Sequence, residues 1–246
     1  MMTKFGSVFI QLASVDSTNN YAANLIQQGS CQDGSVIMAD YQTMGRGQRG
    51  NSWQSVSAAN LMFSAAFRPK YPLDEQIRLA WYSAVMWQQC LLRFGIEAQI
   101  KWPNDIYVQG SKIGGILIEQ QLKGSQLEWS ILGCGINVND APELQQATSI
   151  LAQTGRQFKP QTVLTEYLDL LNAQQQILYG DFLKLKALFE ECMGFRNQLL
   201  RFEKKDGVIF EGKILGVNVQ GELQVEVDGK PVSFSNQEIK FLFPSA

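Results

Sequence analysis

Residues 44–53 read MGRGQRGNSW, and the fold turns on what Gly45, Gly47 and Gly50 do there. Their G-x-G-x-x-G spacing matches a dinucleotide-binding turn, which follows a strand and opens a helix whose N-terminus receives a pyrophosphate. A strand pattern does precede, SVIMADY at 35–41. The next stretch, NSWQSVSAAN, is rich in Ser and Asn and runs straight into a second strand pattern, NLMFSAAF at 60–67. No acidic residue closes a strand about 20 positions later; Asp74 and Glu75 open a helical pattern instead. The dinucleotide reading therefore fails on context. A glycine-rich surface turn is the plain alternative. Against it stand Arg46, Arg49 and Trp53 on the same backbone. Glycine permits close approach of a ligand and guanidinium groups grip carboxylate or phosphate, so a loop that orders around an anion fits better.

The flanking chain alternates strands and helices. Asp16, Ser17 and Thr18 are helix-capping types, followed by Tyr21, Ala22, Leu25 and Ile26 at helical spacing and a stop at Gly29. Leu73 to Phe94 predicts a long amphipathic helix ending at Gly95. Then come QIKWPNDIYV (99–108), KIGGILIEQQL (112–122) and LEWSILGCGINVN (127–139), the last two joined by a hairpin turn, KGSQ. Residues 161–193 read as helix with a break near Gly180–Asp181. The final stretch changes character. GVIFEGKILGVN, GELQVEV and PVSFS are short strands between glycine turns, which predicts a small antiparallel barrel or sandwich over 196–246 after a larger domain over 1–195.

Composition limits the chemistry. The 246 residues are 45% hydrophobic and 18% charged with a net charge of −2, which is globular and lacks the concentrated basic face that nucleic-acid binding requires. No run approaches the ~20 apolar residues of a membrane span. The N-terminal apolar run is too short and broken for a signal peptide, so a cytoplasmic protein is expected. Cys31, Cys90, Cys134 and Cys192 are scattered, which favours free thiols. Histidine is absent, which removes Ser-His-Asp and Cys-His catalysis and any imidazole-bound metal. Catalysis must rest on lysine, arginine, carboxylates, amides and backbone.

Several stretches suit an anionic ligand. In KWPND, Pro103 stiffens a corner that carries Lys101, Asn104 and Asp105. In KIGGIL, Lys112 precedes Gly114 and Gly115, which interrupt a good strand. In GCGIN, Gly133 and Gly135 do the same in the hairpin partner, with Asn137 two residues on. Such glycines mark a bulge or a place where a ligand presses on the backbone, and paired ones suggest a flat slot.

DSTNNYA, ADYQTMGRGQRGNSW, NLMFS, KWPND, KIGGILIE and GCGIN together, in this order, resemble the biotin protein ligases, strongly over roughly residues 10–140. The resemblance implies an α+β fold. A class II synthetase-like catalytic domain with a mixed sheet flanked by helices would precede a C-terminal barrel of the SH3 type. It also implies the reaction: biotin and MgATP give biotinyl-5′-AMP, and a lysine of a biotin carboxyl carrier domain then attacks the adenylate. The catalytic motifs begin by residue 16, as in the monofunctional form without an N-terminal DNA-binding module.

By resemblance, Ser17, Thr18, Asn19 and Gln42 hold the biotin ureido ring. Gly45, Arg46, Gly47 and Gln48 cover the carboxylate and phosphate, Lys112 contacts the carboxylate and its acyl-phosphate product, and Lys101 stabilises phosphate or carboxylate. Gly115, Gly133 and Gly135 shape the slot, while Arg49, Trp53, Asn104 and Asn137 lie towards the nucleotide. Asp105 orients or deprotonates the incoming lysine amine. Mg²⁺ accompanies ATP with no protein ligands assigned, and no tightly bound prosthetic group is implied. Family members are monomers or dimers through the central sheet, and both stay open here. Two other classes compete. A lipoate–protein ligase shares fold and mechanism but has an R-x-x-G-G-G loop, and a non-catalytic biotin sensor needs neither Arg46 nor Lys112. The loop departs from GRGRRGR at Gln48 and Asn51, which predicts weaker retention of biotinyl-AMP.

Overall fold

The computed structural model describes residues 2–53, 55–142 and 146–242, with the Arg49 side chain left out. The first strand, β1 (Val8–Leu12), leads through α1 (Thr18–Gln27) to β2 (Ser35–Ala39), which pairs with β1 in parallel. Ser17 enters α1 in extended conformation, and Gly29, at φ +69°, supplies the left-handed turn that ends it. The glycine loop then crosses to β3 (Leu61–Phe67), antiparallel to β2.

The helix expected over 73–94 is shorter: a 3-10 turn at Leu73–Glu75 precedes α2 (Arg78–Arg93). The cause is Arg78, almost fully buried, whose guanidinium pairs with Glu75 and reaches the carbonyls of Leu178 and Gly180, anchoring the helix start. Short strands β4 (Gln99–Lys101) and β5 (Asp105–Val108) flank the KWPND corner, whose Trp102–Pro103 bond is cis. The hairpin comes next as β6 (Ser111–Lys123) and β7 (Gln126–Ile136), turning at Gly124.

Helices α3 (Ile150–Thr154), α4 (Pro160–Ala173), α5 (Gln175–Tyr179) and α6 (Phe182–Cys192) succeed it. The expected break at Gly180–Asp181 is present, and Asp181 caps α6 by accepting from the amides of Leu183 (2.9 Å) and Lys184 (3.1 Å). A second interruption falls at Gln174. The last five strands are β8 (Leu199–Lys204), β9 (Ile209–Val217), β10 (Leu223–Val227), β11 (Lys230–Phe234) and β12 (Ile239–Leu242).

The seven-stranded sheet has the order β1-β2-β3-β7-β6-β5-β4, antiparallel except for β1 with β2. The five-stranded sheet, β11-β10-β9-β8-β12, is antiparallel throughout. Strand alternation divides the faces of the larger sheet. In β3, Leu61, Phe63, Ala65 and Phe67 enter the main core under α2 and α4, where Trp87 and Tyr167 stack at 3.9 Å. Ala66 faces the other way, joining Ala22, Ile37, Trp129 and Ile131 beneath α1. The smaller sheet is tied on by Trp102, whose indole N–H donates to the Gly221 carbonyl at 2.8 Å. Glu190 adds a second tie by accepting from the Val217 amide at 2.9 Å.

Candidate active site

The α1 face of the large sheet carries the site, and register explains its shape. One cross-strand row runs Lys101, Asp105, Gly115, Gly135, Met62. The next runs Leu117, Gly133, Ser64, Ile37. Glycine at three central positions strips the sheet of side chains and leaves a trough floored by main chain. It opens into a cavity of about 660 Å³ between the glycine loop, the KWPND corner and the strands of the smaller sheet.

Two side chains already lie in the trough. A Cβ at Gly133 would overlap Oδ1 of Asn19, and one at Gly135 would overlap the indole ring of Trp53. Trp53 Nε1 is buried and has no hydrogen-bond partner among the described residues, so a ligand oxygen would satisfy it.

The two ends of the trough differ chemically. At one end the lining side chains are neutral except Arg46, whose charge is offset by Glu119. The Thr18 amide donates to Gln42 Oε1 at 2.7 Å and its hydroxyl to the same oxygen at 3.1 Å. Ser64 Oγ, which has one proton to donate, lies 2.7 Å from Thr18 Oγ1 and 2.5 Å from Asn19 Oδ1. At the other end are charges. Lys112 Nζ is 2.6 Å from Asp105 Oδ1 and 5.8 Å from the centre of the Trp53 ring. Lys101 Nζ donates to the Tyr107 hydroxyl at 3.0 Å and lies over the rings of Tyr107 and Phe241. Burial holds the Lys101 ammonium below the ordinary lysine range, opposed by the Asp105 charge. Asn104 is fixed by exchanging bonds with Ile116, its Nδ2 reaching the Ile116 carbonyl at 2.6 Å and its own carbonyl accepting from the Ile116 amide at 3.0 Å.

The loop is arranged as a narrow hairpin. Gly45 is buried at its root, where the Trp53 amide donates to its carbonyl at 2.9 Å and a Cβ would overlap the Trp53 carbonyl. Gly45 is thus a close-approach position and does not face the cavity, unlike Arg46, Gly47 and Gln48. Gln48 Oε1 accepts from Asn236 of the smaller sheet at 2.8 Å. The Arg46 guanidinium is not aimed at the carboxylate end, where the sequence reading put it: it is paired with Glu119 and donates to Asn20 Oδ1.

Asn137, expected towards the nucleotide, is not on the cavity wall. It is buried behind the trough, its Nδ2 donating to the Thr148 carbonyl at 3.0 Å and its amide to the Ile113 carbonyl at 2.8 Å. The Arg49 side chain lies outside the described residues. The remaining expected residues, Ser17, Thr18, Asn19, Gln42, Lys101, Asn104, Asp105, Lys112, Gly115, Gly133 and Gly135, all line the cavity. Unanticipated wall residues come from the smaller sheet: Lys204, Lys205, Gln237, Lys240 and Phe241. Their only sequence signal is a basic pair and an alternating strand, which any solvated edge also shows.

A main-chain trough with a neutral polar end, a cationic end and a glycine hairpin above it suits the activation of a carboxylate. Fold and site together define an adenylate-forming protein ligase. The chain belongs to the biotin/lipoate A/B protein ligase family, whose model matches residues 12–137. It is 32% identical over 258 aligned positions to a biotin–[acetyl-CoA-carboxylase] ligase of Mycobacterium tuberculosis, covering 96% of this chain and 91% of the relative. It is 30% identical to the bifunctional ligase/repressor BirA of Bacillus subtilis, covering 86% of this chain and 67% of that protein. The solved biotin protein ligase of Aquifex aeolicus in complex with biotin and ATP superposes with a TM-score of 0.78 at 26% identity, covering 96% of this chain and 99% of that one. The mixed sheet with its helices and the separate five-stranded sheet are the biotin protein ligase fold, with its SH3-like C-terminal part.

Proposed function

We propose a division of labour among the site residues that rests on the polarity of the trough. The enzyme is a biotin–[acetyl-CoA-carboxylase] ligase: it activates biotin as biotinyl-5′-AMP and transfers the biotinyl group to a lysine. Biotin has a neutral ureido ring, an apolar chain and an anionic carboxylate, and the trough offers neutral amides and hydroxyls, a glycine floor overlain by the apolar Trp53 ring, and ammonium groups in the same sequence. That match is the observation supporting the reading most. Ser17, Thr18, Asn19 and Gln42 take the ring; Gly115, Gly133 and Gly135 accommodate the chain; Lys112 meets the carboxylate.

The carboxylate needs no general base in the first half-reaction. Its obstacle is electrostatic, because it must approach the α-phosphorus of a polyanion. Lys112 and Lys101 offset that repulsion and stabilise charge building on the phosphoryl oxygens. Asn104 and Trp53 Nε1 position the nucleotide, and Mg²⁺ enters with ATP, held by phosphates and water. In the second half-reaction the acceptor amine attacks the carbonyl carbon of the anhydride. The C–N bond forms, the bond from that carbon to the bridging phosphate oxygen breaks, AMP departs, and the amine proton passes to Asp105. Asp105 is free to accept it because Lys112 has by then exchanged its carboxylate partner for the ligand. The acceptor is a biotin carboxyl carrier domain, and residues 1–195 and 196–246 act as two domains that share the cavity.

Exchange of pyrophosphate into ATP tests this directly. Exchange is expected with biotin and not with lipoate, and the reverse pattern overturns the reading. Removing one preorganised charge donor costs roughly 10²–10³-fold in turnover, so Lys112→Ala should lower exchange by that factor. Its half-buried pair with Asp105 contributes at most about 1 kcal/mol to stability, so Tm should barely move. A Lys112→Ala protein with full exchange removes Lys112 from this role.

A further inference from the structure

We propose that Glu119 is a positioning residue for the biotin end of the site, acting through Arg46 and Asn19; the proposal rests on the biotin-ligase reading. Glu119 stands on β6 at the same face as Gly115 and Leu117 but does not line the cavity. Its two carboxylate oxygens are committed in different directions. One is paired with the Arg46 guanidinium at the root of the glycine hairpin. The other accepts from Asn19 Nδ2 at 2.7 Å, and Asn19 is the side chain that lies over Gly133 in the trough.

The network extends from there into α1 and β3. Arg46 also donates to Asn20 Oδ1, and Asn20 Nδ2 donates to Asp16 Oδ2 at 2.6 Å. Asn19 Oδ1, in turn, is a hydrogen-bond partner of Ser64 Oγ at 2.5 Å. One carboxylate on a central strand thus fixes both the hairpin root and a ring-binding amide from α1. Charge-assisted hydrogen bonds are about twice as strong as neutral ones and need a fixed geometry. Glu119 therefore sets where the Arg46 backbone passes over the ligand, and it neutralises a guanidinium that would otherwise attract the biotin carboxylate to the wrong end.

The expected consequence is a selective loss of biotin affinity. Glu119→Ala releases both Arg46 and Asn19, and biotin KM in pyrophosphate exchange should rise by about tenfold, the equivalent of one charge-assisted contact. At saturating biotin, kcat should stay within about threefold of the unmodified enzyme, and KM for ATP should not change. Glu119→Gln keeps an acceptor for Asn19 and should fall between the two. Arg46→Ala alone leaves Asn19 bound to Glu119 and should raise biotin KM less than Glu119→Ala does, and the double variant should be no worse than Glu119→Ala, which already breaks the Arg46 contact. Two results overturn the proposal: a biotin KM within twofold of the unmodified enzyme in Glu119→Ala, or multiplicative effects in the double variant. A purely structural role would lower Tm and kcat together and leave the ratio of the two KM values unmoved. Absence of biotin-dependent exchange in the unmodified enzyme would instead refute the underlying function.

Discussion

Gly133→Ala is the smallest change that fills the trough, and its cost can be worked from the neighbouring atoms. The added methyl would overlap Asn19 Oδ1 and lie 2.9 Å from its Cγ. The strand cannot yield easily, since β7 is central and hydrogen-bonded to β3 on one side and β6 on the other. Asn19 must move, and it is almost fully buried. Moving it breaks the Ser64 contact at 2.5 Å and the Glu119 contact at 2.7 Å. A neutral hydrogen bond contributes about 1 kcal/mol and one to a charged group about 1.5–3, so the loss should be about 3 kcal/mol. For a protein of this size that corresponds to roughly 6–12 °C in Tm. Thermal unfolding followed by circular dichroism measures the first effect, and titration calorimetry with biotin measures the accompanying loss of affinity. In an Asn19→Ala background the methyl meets no amide, and the same substitution should cost less than about 1 kcal/mol. A Gly133→Ala protein with unchanged Tm and unchanged biotin affinity would refute the packing argument.

Three further outcomes are expected. Gln48 has a neutral partner in Asn236, where an arginine would place charge over the anhydride; Gln48→Arg should therefore slow release of biotinyl-AMP in single-turnover experiments, and equal or faster release would contradict this. Burial holds the Lys101 pKa below the ordinary lysine range, so its charge is lost earlier as pH rises. The alkaline limb of exchange should accordingly fall below the pH at which a solvated lysine titrates, and Lys101→Arg should move that limb upward. The sign for stability is the opposite of a salt-bridged lysine. The fold disfavours the ammonium, so stability attributable to Lys101 should increase between its lowered folded pKa and its unfolded one.

Local patterns carry the sheet hairpin and the slot, because both depend on residues whose backbone properties are individually distinctive. Gly115 and Gly135 are direct cross-strand partners, as paired glycines in KIGGIL and GCGIN suggest. Turn markers alone do not suffice. VFIQL at 8–12 and LLRFEK at 199–204 form β1 and β8, with Gly6-Ser7 before the first and Asp206-Gly207 after the second, yet neither reads as a strand because each mixes polar and apolar residues in a short run. Asn137 is expected towards the nucleotide by family resemblance, and it stands two residues after Gly135, where a regular strand puts both on one face. β7 ends at Ile136; the Asn137 amide still bonds the Ile113 carbonyl in register with the β6–β7 ladder, but its side chain is taken up by the Thr148 carbonyl and does not reach the cavity. Glu119 is unreadable for a different reason. An acidic residue in an alternating strand looks solvated until the fold brings Arg46 and Asn19, 73 and 100 residues away, to its two oxygens.

The sharing of the cavity between two sheets also has a consequence in time. A ribosome delivers β1 to β7, with the glycines and lysines of the trough, before Lys204, Lys205 and Lys240. Until β8 and β12 pair, the Asn236 that meets the Gln48 amide has no scaffold, and one wall of the chamber is open water. The chemistry is thus laid down in the first strands and its enclosure in the last, so the anhydride has its shelter only once the smaller sheet is in place.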